Sequence, residues 1–367
     1  MFPDKIIREE FRSLFAFKQT TRKWEIPFLA SICVGTPLLA GLYFGNLRYG
    51  VTACLSGMAI LYLPNSGSLS DRMKTILGCS FGFMLSSAFG LIFSFHPLVA
   101  AFALGLFAFG VHWIVLAANI PPPKSFFFIL IAAMSICQPF DLDEIPLKIG
   151  LLGLGTLFTC SLAFCYLLIP YFKRSETTHH QPTTAGISIS PDIWEAVVTG
   201  IFMLLSLLIG YLFHLKNPYW VPISCAAVMQ GASLYHIRQR TFHRILGTFI
   251  GLGFCWLILL VAKTPLSVCI TVMVLQCIIE ILVVRQYALA VIFITPLTVL
   301  LAETANPTSD HINTLIFLRF WDISIGSILG AIGGWVLYRE KVRHAGMRRL
   351  RMIRAGISKK KHQKPRK

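Results

Sequence analysis

Apolar residues in this chain form long runs separated by short polar stretches, and a run of about 20 apolar residues is long enough to cross a hydrocarbon core of about 30 Å. The candidate membrane-crossing runs occupy residues 26–46, 50–64, 74–95, 97–118, 124–138, 147–171, 193–213, 219–234, 243–262, 265–284, 286–303 and 315–337. The runs at 50–64, 124–138, 219–234 and 286–303 are the shortest. The pattern therefore predicts an all-α polytopic membrane protein with about twelve transmembrane helices.

Polar markers recur in the same order at an offset of about 170 residues. Trp24 and Glu25 precede the first run as Trp194 and Glu195 precede the seventh. Each half contains an even number of predicted helices, so the copies should be parallel repeats with one orientation. We expect a segment at 1–23, a six-helix repeat at 24–172, a polar linker at 173–191, a second six-helix repeat at 192–338 and a basic tail at 339–367.

Composition supports a membrane protein and excludes a soluble globular one. Only 13% of the residues are charged and 55% are hydrophobic, whereas a soluble domain carries about 25% charged residues. All ten cysteines lie in apolar runs, without a C-x-x-C pair. We expect buried thiols that act as small hydrophobic side chains, not disulfides or a metal site.

The distribution of positive charge predicts the topology. With the amino terminus in the cytoplasm, 28 of the 33 Lys and Arg residues lie in predicted cytoplasmic segments, as the positive-inside rule requires. This predicts a multi-pass inner-membrane protein with both termini cytoplasmic. The pattern at 5–18 is typical of an interfacial amphipathic helix. The basic tail is expected to bind anionic lipid headgroups, and nucleic acid is not expected as a partner.

Ionisable residues in the apolar runs are the candidates for function, because catalytic, metal and cofactor motifs are lacking and no enzyme is indicated. Charged groups at membrane depth are costly and mark functional sites. Glu280, Asp322 and His112 are therefore candidates for proton coupling. Each has an alternative role: Glu280 as a snorkelling or salt-bridged glutamate, Asp322 as the ion-pair partner of Arg319 three residues earlier, and His112 as a hydrogen-bonded intramembrane histidine.

Basic residues open the ninth run and its counterpart in the first half. Arg240, His243 and Arg244 begin the ninth run, and Arg72 and Lys74 take the corresponding place earlier. Together they predict a cytoplasmic mouth that attracts anions, although ordinary positive-inside topology also places arginines there.

Deeper in the membrane, Arg319 could hold an anion between the two repeats. Trp220, beside Pro222, fits an interfacial belt better than a stacking platform. Spaced glycines, including Gly326 and Gly330, predict close helix packing.

The residues that carry a family resemblance are Tyr219-Trp220-Val221-Pro222, Gln230, the stretch from Arg240 to Gly251, and Arg319-Phe320-Trp321-Asp322 followed by Gly326. With these motifs the chain resembles the fusaric acid resistance and aromatic acid exporter family, which is distantly similar to the plant aluminium-activated malate transporters. The resemblance is strongest over 193–337.

The resemblance implies export of organic anions such as aromatic carboxylates, with Arg240, Arg244 and Arg319 holding the substrate carboxylate. Our preferred hypothesis adds that proton entry drives this export. A passive organic-anion channel and a non-transporting membrane scaffold are the alternatives. The linker of about 20 residues departs from family members that carry a sizeable cytoplasmic domain between the halves. Leu151 replaces Asp322 in the first half, so the halves cannot contribute equally.

Overall fold

The computed structural model describes residues 19–20, 22–172, 192–305, 312–340 and 343–344. The regular secondary structure in these ranges is helical, which confirms the all-α prediction for this part of the chain. The linker at 173–191, most of the segment at 1–23 with the whole expected amphipathic helix at 5–18, and most of the basic tail lie outside the described residues.

The helices of the first half are α1 (Glu25–Tyr43), α2 (Leu47–Cys54), a 3₁₀ helix (Leu55–Tyr62) that continues α2, α3 (Leu69–Ile92), α4 (Pro97–Ala117), α5 (Phe126–Ile136) and α6 (Glu144–Phe172). The helices of the second half are α7 (Ile193–Leu212), α8 (Trp220–Met229), α9 (Leu234–Val261), α10 (Pro265–Leu282), α11 (Tyr287–Ala305) and α12 (Ile312–Tyr338).

Nine helices of the described chain are long and apolar enough to cross a membrane: α1, α3, α4, α6, α7, α9, α10, α11 and α12. The helices α2, α5 and α8 are shorter. The ten residues of α8 span only about 15 Å, half of a hydrocarbon core. A multi-span membrane protein is therefore confirmed, whereas the prediction of twelve spanning helices is not.

The short helix α8 lies inside the protein, because all ten of its residues are buried. It packs against α12, α7, α9 and α5. A Cβ atom added to Gly326 would lie 2.4 Å from the Val221 carbonyl oxygen, and one added to Gly330 would lie 2.7 Å from that of Cys225. The backbones of α8 and α12 therefore touch, and the prediction of close packing at these glycines is confirmed.

The largest contacts between the two halves are two helix pairs, and smaller ones join α2 to α11 and α5 to α8. Helix α4 packs against α7, and α10 packs against α1. Buried Leu104, Met203 and Leu207 belong to the apolar core around α4 and α7. Buried Val34, Leu38 and Val272 belong to the core around α1 and α10. Within the halves, α3 packs on α5 and α9 packs on α11.

Candidate functional site

Arg244 is a buried arginine on α9, a helix whose first turn is capped by Ser233. Its Nη1 donates a hydrogen bond to the Tyr287 hydroxyl at 3.2 Å, and its Nη2 donates to the Ser224 hydroxyl at 3.2 Å. Arg244 thus connects three helices, because Ser224 lies on α8 and Tyr287 on α11.

Arg240 lies one turn before Arg244 on the same face of α9. Its Nη1 donates to the Ala227 carbonyl at 3.0 Å, and its guanidinium lies 5.0 Å from the ring centroid of Tyr287. That distance is typical of a cation–π interaction. Tyr287 therefore contacts two arginines, one through its ring face and one through its hydroxyl.

Arg319 is a buried arginine of α12. Its guanidinium is 3.2 Å from the ring centroid of Trp220, and its Nη2 donates a short hydrogen bond to the Thr298 hydroxyl. The charges of Arg244 and Asp322 act on it electrostatically. Trp220 is only 6% exposed, so its interpretation as an interfacial belt residue is wrong. It is a buried stacking partner of Arg319.

We call the set formed by Trp220, Ser224, Arg240, Arg244, Thr248, Tyr287, Thr298, Arg319 and Asp322 the arginine cluster. Five of its buried atoms have no hydrogen-bond partner among the described residues: Nε1 of Trp220, Nε of Arg244, Oγ1 of Thr248, Nε of Arg319 and Oδ1 of Asp322. A buried polar atom without a partner costs about 1–3 kcal/mol. Three arginines and one aspartate also give the cluster a net positive charge, which favours an anion.

The cluster lies within the second half, on α8, α9, α11 and α12. This location differs from the one that the sequence predicts, which is between the two repeats. Gln230 connects the cluster to the first half. Its Oε1 accepts a hydrogen bond from Nη1 of Arg240, and its Nε2 donates one to the Pro123 carbonyl at 3.1 Å.

The other predicted binding residues have different surroundings. Arg72 donates from Nε to the Pro64 carbonyl at 2.8 Å. Lys74 is exposed, with its Nζ 3.7 Å from Asp71. His243 is buried on α9, about 100° around the helix from its neighbour Arg244. Binding roles for Arg72, Lys74 and His243 stay predictions.

Glu280 forms a buried ion pair. Its Oε2 lies 2.8 Å from Nη1 of Arg22, and its Oε1 accepts a hydrogen bond from Gln276 at 3.1 Å. Arg22 precedes α1 and Glu280 lies on α10, so the pair joins the two halves. This geometry favours the salt-bridged alternative for Glu280.

Both ring nitrogens of His112 also have a hydrogen-bond partner. Its Nδ1 lies 2.6 Å from the Ser125 hydroxyl, and its Nε2 lies 3.2 Å from Oε1 of Glu195. Nζ of Lys124 lies 3.7 Å from the same carboxylate oxygen. This network joins α4 to α7, and it matches the hydrogen-bonded alternative for His112.

The first half carries an aromatic cluster around Tyr62. The Tyr62 ring meets Phe83 and Phe128 edge to face, with centroids 5.9 Å and 5.4 Å apart. The Tyr62 hydroxyl donates to the Lys124 carbonyl at 2.6 Å. Aromatic rings thus fill the contact between the 3₁₀ helix, α3 and α5, and an unequal contribution of the two halves to binding stays a prediction.

The sequence pattern did not identify Ser224, Thr248, Tyr287 and Thr298 as site residues, and it marked Glu195 only as part of the repeat. One signal was available, since Thr248 follows Arg244 by four residues and so lies on the same face of α9. Ser224, Tyr287 and Thr298 had no such signal, because their relation to the arginines depends on how α8 and α11 pack.

Comparisons with known proteins agree with the residues that carry the resemblance. Residues 205–333 match the model of a family described as fusaric acid resistance protein-like. An uncharacterised membrane protein of Bacillus subtilis (strain 168), YvaC, is 31% identical over 151 residues, which cover 41% of this chain and 24% of that relative. No solved structure matches this chain. The similarity to the malate transporters stays a prediction. Residues 205–333, which contain the whole arginine cluster, are thus similar in sequence to the fusaric acid resistance protein-like family.

Proposed function

We propose that this chain is a membrane transporter that exports organic anions such as aromatic carboxylates, and that the arginine cluster binds the substrate carboxylate. The observation that carries the proposal is the burial of Arg244 and Arg319 among spanning helices, each with an Nε that has no partner among the described residues. Buried guanidinium groups are costly unless they are paired.

A carboxylate suits this cluster chemically. Guanidinium groups bind carboxylates through two parallel N–H···O bonds, which are stronger than hydrogen bonds between neutral groups. The ring face that an aromatic substrate needs would be the side of the half-buried Tyr287 ring opposite Arg240. A non-transporting scaffold would have no use for two deeply buried arginines with unused donors, so we favour transport.

We propose a route that follows the three arginines. Arg240 and Arg244 share Tyr287, and the charge of Arg244 reaches Arg319. The sequence places the start of α9 on the cytoplasmic side by its excess of basic residues. An anion would accordingly meet Arg240 first and Arg319 last.

Proton coupling is the finer part of the proposal, and we assign it to Asp322. Glu280 is paired with Arg22 and His112 is bonded to Glu195, whereas Oδ1 of Asp322 has no partner among the described residues.

The second candidate is a passive anion channel. It is favoured by the bonding of Glu280 to Arg22 and of His112 to Glu195, because these bonds already occupy two of the proton-coupling candidates. A monovalent anion that leaves a cell with a negative interior gains about 2.3 kcal/mol per 100 mV, so export needs no proton.

We also propose that the halves are parallel repeats. The first and fourth helices of one half pack against the fourth and first of the other, as α1 on α10 and α7 on α4. The third and fifth helices pack together in both halves, as α3 on α5 and α9 on α11. This exchange is what a two-fold axis along the membrane normal requires.

The test is flux of labelled benzoate in proteoliposomes, with protein-free vesicles as background. We expect Arg244→Gln and Arg319→Gln each to lose at least about tenfold of the protein-dependent flux, since a charge-assisted bond is removed. Arg285→Gln is the matched control, because Arg285 is an exposed arginine of the same half. Full flux in both cluster variants would refute the proposal.

The same vesicles separate the two candidates. A pH gradient imposed at zero membrane potential should drive benzoate through a proton-coupled transporter. A potential imposed at equal pH should drive it through a channel. Flux that follows only the potential would leave the channel as the function.

A further inference from the structure

We infer that the arginine cluster selects monovalent over divalent anions, and that Asp322 is the residue that sets this selectivity. The inference rests on the proposed function, since it concerns the anion bound at the same arginines. It assigns to Asp322 a role in choosing the substrate, separate from any role in carrying a proton.

The position of Asp322 is the first step. Asp322 follows Arg319 by three residues on α12, so both side chains leave the same side of the helix. Asp322 is 2% exposed, and its charge interacts with that of Arg319. One of its two carboxylate oxygens, Oδ1, is buried and has no hydrogen-bond partner among the described residues. An anion that binds Arg319 must approach this carboxylate.

The charge count is the second step. The end of the cluster that contains Arg319 has two cationic side chains, Arg244 and Arg319, and one anionic side chain, Asp322. Arg240 lies one turn further along α9, with its guanidinium directed to the Ala227 carbonyl and the Tyr287 ring. Arg244, Arg319 and Asp322 together therefore carry a net formal charge of about +1. A monovalent anion brings it to zero, whereas a divalent anion leaves a buried negative charge without a partner, which is strongly unfavourable.

A purely structural role for Asp322 makes the opposite prediction. If Asp322 only held Arg319 in place, its replacement would weaken the binding of every anion. If Asp322 repels the ligand, Asp322→Asn should strengthen binding. The electrostatic energy of a ligand scales with its charge, so the gain for a dianion should be the square of the gain for a monoanion of the same shape.

The experiment measures binding to the purified full chain by calorimetry with two matched pairs of probes. The pairs are monomethyl succinate with succinate, and monomethyl terephthalate with terephthalate. We expect the wild type to bind each monoester more tightly than its dianion. In Asp322→Asn we expect a gain of about tenfold for the monoesters and about a hundredfold for the dianions, from the loss of one charge at close range.

Arg319→Gln gives a second test of the sign, which also serves if Asp322→Asn is poorly folded. It should weaken both members of each pair, and the loss for the dianion should be the square of the loss for the monoester. Asp71→Asn, at an exposed aspartate of α3, should change neither.

Two results would overturn the inference alone, and a third would overturn the proposed function as well. Equal changes for monoester and dianion in Asp322→Asn and in Arg319→Gln would exclude selection by charge, as would weaker binding of all probes in a folded Asp322→Asn variant. A wild-type chain that binds none of the four probes would overturn the proposed function itself, and the inference with it.

Discussion

The guanidinium of Arg319 lies 3.2 Å from the ring centroid of Trp220, so a residue of α12 is oriented by a residue of α8. Trp220 is the first residue of α8, and the backbone of that helix rests on Gly326 of α12. The orientation of Arg319 therefore depends on the packing of a ten-residue helix.

Trp220→Leu should reduce benzoate flux several-fold and destabilise the fold. A desolvated cation–π interaction contributes about 2 kcal/mol, and leucine removes it while keeping an apolar side chain. The measurements are flux in proteoliposomes and the midpoint of thermal unfolding. Trp220→Phe keeps a ring face and should retain more of both. Wild-type flux in the leucine variant would mean that the stacking does not orient Arg319 for binding.

Tyr287→Phe should have a selective effect on Arg244. It keeps the ring that Arg240 contacts and removes only the hydroxyl that accepts from Nη1 of Arg244. The loss of this acceptor for a charged donor should cost about 1–3 kcal/mol. We expect weaker anion binding with little change in the overall fold, measured by calorimetry and circular dichroism. An unaltered affinity would place the ligand away from Arg244.

Gly326→Ala should disturb the cluster without removing any polar group. The new Cβ would stand 2.4 Å from the Val221 carbonyl oxygen, so α8 and α12 must separate and Arg319 must shift from Trp220. We expect a loss of flux and a lower midpoint of thermal unfolding. Gly78→Ala is the matched control, since a Cβ at Gly78 meets nothing within 4 Å. Equal behaviour of both variants would contradict the assigned contact.

Glu280→Gln should lower stability more than it lowers transport. Removing one partner of a buried pair leaves an uncompensated charge and costs up to about 3–5 kcal/mol. Arg22 is partly exposed, so we expect about 1–3 kcal/mol after screening by solvent. A charge reversal, Arg22→Glu with Glu280→Arg, should recover part of the loss. Abolished proton-driven flux in a fully stable Glu280→Gln variant would instead return Glu280 to a coupling role.

Local sequence patterns predicted most of the fold. Apolar run length predicted the nine candidate spans of the described chain, since a spanning helix needs only enough consecutive apolar residues. Three of the four shortest runs became the short helices α2, α5 and α8, and the fourth became the candidate span α11. Run length failed at α8 because a helix that is apolar on all sides can be buried in protein as well as in lipid.

Contacts between distant residues could not be predicted in the same way. The sequence singled out Trp220, Arg244 and Arg319, but it gave no sign that Trp220 stacks on Arg319. The Glu280 pairing with Arg22 was also hidden, because it depends on α10 packing against α1. Such contacts follow from which helices meet, and periodicity in one helix carries no information about its neighbour.

The complete burial of α8 has a consequence for biosynthesis. A helix of ten residues is too short to partition into a bilayer alone, and its flanks must carry it to membrane depth. The helices that pack against α8 in the folded protein include α12, which is synthesised last among the helices of the second half. We therefore expect the anion site to be completed only after α12 has been inserted, so that ribosome-bound chains truncated before α12 should already contain α7 and α9 in the membrane but lack an ordered α8.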